Sequence, residues 1–112
     1  MLVTIIVLFA IAAVIGVTMI IPFVSGKPVS KVSAVFHGLF AATALVLLII
    51  FAVNSTISPT ASIIIFVIAA LGGFVLFTSD LKNKRVPSGV AFIHAGAAVI
   101  AFILLLVFAL SI

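Results

Sequence analysis

Residues 6–52 of this chain lie on residues 63–109 at an offset of 57 without a gap, and sixteen of the forty-seven pairs are identical. A chain this apolar would match at roughly one position in ten by chance. The identical pairs include Phe9/Phe66, Ala12/Ala69, Ala13/Ala70, Gly16/Gly73, Lys27/Lys84, Ala34/Ala91, His37/His94, Ala41/Ala98, Ala44/Ala101 and Phe51/Phe108. Whatever one copy folds into, the other is expected to fold into as well. Chemistry therefore comes in pairs, and the only two histidines of the chain form one of them.

What each copy folds into follows from its polarity. Hydrophobic residues make up 68% of the chain and charged residues 5%, too little polar surface to cover a soluble globule. Four apolar stretches stand out, residues 2–24, 32–53, 61–81 and 89–112. At 1.5 Å per residue each is long enough to cross a hydrocarbon core of about 30 Å. The even-odd alternation of a membrane β-strand is absent, and residues 44–52 are apolar on every helical face. The expected fold is all-α: a four-span transmembrane helical bundle in the lipid bilayer, forming a single membrane domain over residues 1–112. It divides into repeat one, residues 1–57, and repeat two, residues 58–112. Because each helical-hairpin repeat holds two spans, both enter the membrane in the same sense. Their expected relation is a pseudo-two-fold axis along the membrane normal, with equivalent residues at equal depth and His37 approaching His94.

The cations set the orientation. Lys27 and Lys31 lie between spans one and two, and Lys82, Lys84 and Arg85 between spans three and four, whereas the middle connection carries no charge. The positive-inside rule places both basic loops in the cytoplasm, giving a multi-pass cytoplasmic (inner) membrane protein, N-out and C-out. Topology thus accounts for the net charge of +4, and five cations split over two short loops make no nucleic-acid patch. The first span lacks the basic n-region of a signal peptide and exceeds an h-region in length. The absence of cysteine removes disulfides, thiolate metal sites and covalent haem attachment. Gly26 suits a helix C-terminus, Pro28 a helix start, Ser58-Pro59 a cap for the third helix and Pro87 the start of the fourth. Asp80, the only acid, would form an i,i+4 pair with Lys84 if its helix continued that far.

Around each histidine the sequence keeps a strip of small residues. One face of the second helix reads Ala34, His37, Ala41, Ala44, Leu48, and the fourth reads Ala91, His94, Ala98, Ala101, Leu105. Spacings of three and four hold these residues on one side of a helix. The first and third helices carry Ala12-x-x-x-Gly16 and Ala69-x-x-x-Gly73. Gly16 lies about 12 Å from the cytoplasmic end of its span and His37 about 9 Å from Lys31, so glycines and histidines share a depth.

Two readings of this strip compete. Small residues let membrane helices approach closely, with neutral histidines hydrogen-bonded to each other, to backbone carbonyls or to Thr and Ser hydroxyls. Alternatively the strip leaves a slot for a flat cofactor, with His37 and His94 as axial ligands of haem b iron. Gly16, Gly73, Ala34, Ala91, Ala41 and Ala98 would then line the cofactor, Phe36 and Phe92 would meet its apolar face, and the loop cations would meet its carboxylates. Facing helices of a bundle are a recurrent cofactor site. In architecture and at the two histidines this arrangement resembles the bis-histidine b-type cytochromes of membranes. The resemblance implies electron transfer or haem handling near the cytoplasmic face. No histidine lies on the opposite side for a second haem.

Other chemistry lacks its residues. Two histidines without thiols or nearby carboxylates do not close a zinc site, no Ser-His-Asp or Cys-His set exists, and no Gly-rich phosphate loop occurs. The remaining alternatives are a small dimeric transporter or channel using the histidine pair for substrate or protons, and an accessory subunit of a membrane complex. In that last role the histidines would be packing residues.

Overall fold

The computed structural model describes all 112 residues. The chain is all-helical: α1 (Leu2–Val24), α2 (Lys31–Val53), α3 (Thr60–Leu81) and α4 (Ser88–Ser111). Each helix is long and apolar enough to cross a membrane, as expected of a multi-pass membrane protein. The helix bounds lie within one residue of the apolar stretches at every start and end. The chain forms two compact units, Met1–Leu48 and Ile49–Ile112, the second taking in the last turn of α2.

In the first unit, α1 ends where Gly26 enters the left-handed region at φ 72°, which costs glycine nothing. The Gly26 amide then donates to Phe23 O at 3.3 Å and the Lys27 amide to Pro22 O at 2.9 Å. These are the two bonds of a Schellman ending, and they satisfy carbonyls that the last helical turn leaves open. The second unit ends α3 in the same way at Asn83, φ 53°, with the Asn83 amide on Asp80 O and the Lys84 amide on Ser79 O. α3 stops at Leu81 and the left-handed Asn83 lies between Asp80 and Lys84, so the helix does not continue through the i,i+4 spacing of these two residues.

Two start signals also need correction. Pro28 does not open α2; the helix begins at Lys31, and the Ser30 hydroxyl accepts from the Ser33 amide at 3.3 Å, a capping bond that fixes the start three residues later. Ser58 does not cap α3. Pro59 occupies the N-cap with no side-chain cap bond, while the Thr60 hydroxyl donates to Ser58 Oγ. Pro87 stands immediately before α4 as expected.

Few side chains are buried. On α1 they are Ile5, Phe9 and Ala12, on α2 Ala44 and Leu48. On α3 they are Ser62, Phe66 and Ala69, on α4 Ala101 and Leu105. Every one of these positions has its counterpart 57 residues away. The rest of each helix presents Val, Ile, Leu and Phe outward, the surface that lipid covers without hydrophobic penalty. In the second unit α3 packs on α4. There the buried Ser62 hydroxyl donates to Ala101 O at 2.8 Å, and the Phe51 ring meets Phe108 edge-on with centroids 6.2 Å apart.

Candidate functional site

In the first unit, Nδ1 of His37 lies 2.7 Å from the carbonyl oxygen of Ala12 on α1. In the second, Nδ1 of His94 lies 2.6 Å from that of Ala69 on α3. A carbonyl oxygen only accepts, so Nδ1 carries the hydrogen in both rings, and a neutral ring then holds its lone pair on Nε2. Each bond spans 25 residues and ties the two helices of its hairpin together.

The Ala-x-x-x-Gly spacing explains how the ring reaches a main-chain oxygen. Residues i and i+4 stack on one helix face, and the i+4 amide already occupies one lone pair of the carbonyl at i. The second lone pair points out of the helix and is available to a donor from the neighbour. In both hairpins the residue stacked over that carbonyl is glycine, and the ring rests against it. A Cβ built at Gly16 would stand 3.0 Å from Cε1 and 3.3 Å from Nδ1 of His37. At Gly73 the corresponding distances to His94 are 2.9 and 3.3 Å. Gly72 adds closeness in the second hairpin, its absent Cβ falling 3.4 Å from Cβ of His94.

Of the residues singled out in the sequence, the structure thus joins His37 to Gly16 and His94 to Gly73. Ala34, Ala41, Ala91 and Ala98 are half-buried on the same helices as the histidines. Phe36 and Phe92 are exposed on the outer surface, at 52% and 62%. The carbonyls of Ala12 and Ala69 are the partners that sequence reading did not assign. The signal was present in the register of the Ala-x-x-x-Gly pairs, but a main-chain acceptor has no residue type of its own. Two shallow grooves lie elsewhere, one beside Lys31 and Phe36 on α2, the other beside Val7 and Val14 on α1.

The donor set limits the metal chemistry. No three His, Asp or Glu side chains come together. Nδ1–H donation to a backbone carbonyl is the outer-shell bond by which metal-ligating histidines are commonly oriented. No protein-family model, characterised protein or solved structure matches this chain.

Proposed function

We propose that this chain is a small integral membrane haem b protein in which His37 and His94 supply the axial imidazoles. Its role is electron transfer or haem handling near the cytoplasmic face, in a cytoplasmic membrane with both termini outside. The observation that carries the proposal is the matching pair of bonds, His37 Nδ1 to Ala12 O and His94 Nδ1 to Ala69 O. Each defines the tautomer with the ligating lone pair on Nε2 and orients the ring. The recurrence of this contact and of the Schellman turn at positions 57 apart supports the reading of the hairpins as two copies of one unit.

Haem held by His37 and His94 would supply one-electron redox chemistry. The chain's own residues hold the rings in one tautomer, exclude water by their apolar surroundings, and place basic residues at the ends of the helices. In the proposed orientation Lys27, Lys31, Lys84 and Arg85 meet the acidic groups of the cofactor or of the inner leaflet.

Titration of the purified haem-free protein with haemin tests the proposal. The wild type is expected to take up one equivalent per chain with a low-spin spectrum, and His37→Ala and His94→Ala are each expected to lose that spectrum. A wild type that takes up none, while both variants lose thermal stability, would leave the histidines as packing residues of an accessory membrane subunit.

A further inference from the structure

Gly16 and Gly73 belong to the rings, not to the space beside them. We infer that they are positioning residues that set the tautomer of His37 and His94 by keeping the carbonyls of Ala12 and Ala69 open. A helical side chain covers the surface N-terminal to its own Cα, so any side chain at 16 or 73 lies over the carbonyl four residues earlier. The imidazole stands where that side chain would be, with Cε1 at 3.0 Å from the Cβ position of residue 16 and 2.9 Å from that of residue 73. The ring is the end of a mobile side chain and swings aside when a methyl group is added. That swing removes Nδ1 from an oxygen only 2.7 Å away in the first hairpin and 2.6 Å in the second.

Displacement removes the acceptor that favours Nδ1–H over Nε2–H, so the ring is no longer held in that one tautomer. Nε2 then no longer keeps the lone pair in every molecule. Gly38 and Gly96 lie on the histidine helices themselves, and a Cβ at either meets nothing within 4 Å. They serve as controls for glycine replacement inside a span. The consequence for iron rests on the haem reading; the tautomer assignment does not.

The test uses nitrogen NMR of the haem-free, full-length protein labelled at histidine, since the shifts of Nδ1 and Nε2 report which nitrogen is protonated. Both rings of the wild type are expected as Nδ1–H. In Gly16→Ala only His37 is expected to lose that signature, in Gly73→Ala only His94, and in Gly38→Ala and Gly96→Ala neither. Retention of the His37 signature in Gly16→Ala would overturn the inference.

If a glycine variant unfolds, the same replacement is read in the background that lacks the ring. Gly16→Ala is expected to leave the melting temperature of His37→Ala unchanged; an equal fall in both backgrounds would overturn the inference. Haemin added to the same samples separates the two claims. A wild type that binds none removes the haem reading and leaves the tautomer result standing. A wild type that binds haemin is expected to do so about 10–100-fold more tightly than Gly16→Ala or Gly73→Ala, the usual effect of losing a ligand-orienting bond, and equal affinities would contradict the positioning role at iron.

Discussion

In the first hairpin the residue beside Gly16 is Ile15, whereas in the second the residue beside Gly73 is Gly72, and α3 reaches the Cβ of His94 through it. The two hairpins part company at other places too. Ile5 fills by volume alone the position where Ser62 donates to Ala101 O. The left-handed turn residue is Gly26 in one and Asn83 in the other. Against these differences stand the contacts that do not vary: the Nδ1–carbonyl bond, the glycine beneath the ring and the two turn bonds. A polar hydrogen has few acceptors in an apolar interior, and at both histidines the two hairpins meet it with the same main-chain acceptor.

The largest effect expected from breaking that parallel lies at the rings. His37→Ala and His94→Ala should each abolish low-spin haemin binding in an optical titration. A variant that keeps it would show that the hairpins differ in function as well as in packing.

Next in size is the comparison of Gly73→Ala with Gly16→Ala. Adding a methyl group to a filled contact costs about 1–3 kcal/mol. Gly73→Ala is expected to lose more, because the approach there is closer and Gly72 has already drawn α3 onto His94. Reversible unfolding in mixed detergent would check the order of the two.

The turns come third. Gly26→Ala places a Cβ in the left-handed region at a cost of about 1–2 kcal/mol. Asn83→Ala is expected to cost less, since asparagine already bears part of that strain and alanine adds only the difference. Equal losses at the two turns would mean that the asparagine side chain contributes nothing of its own.

The smallest expected effect is that of Ser62→Ala. It removes one interhelical hydrogen bond, worth about 0.6 kcal/mol between membrane helices, and the same unfolding assay reads it. A loss several times larger would make Ser62, and with it the second hairpin, more dependent on polar contacts than the first.

The features legible in the sequence are those written in side-chain polarity. Apolar length gave the four helices to within a residue, and Gly26 marked the end of α1 because only glycine enters the left-handed region freely. The equivalent turn at Asn83 was carried only by register with Gly26, since asparagine is a weaker turn signal than glycine. The start of α2 lies not at Pro28 but at Lys31, where the Ser30 hydroxyl accepts from the Ser33 amide. At the candidate site, His37 and His94 were legible as a pair and Gly16 and Gly73 as residues at the same depth. Their union was not, because its other half is a backbone oxygen that every residue carries. Its only trace in the sequence is the small residue required four positions later.

Haem ligation by His37 and His94 is tested by an absorption spectrum of the protein purified from membranes, as isolated and after dithionite, with added haemin as a control. The protein is expected to show a Soret band and sharp reduced α and β bands, lost on replacing either His37 or His94. A colourless protein that also ignores added haemin would contradict haem ligation and leave the two histidine–carbonyl bonds as a means of holding helices together.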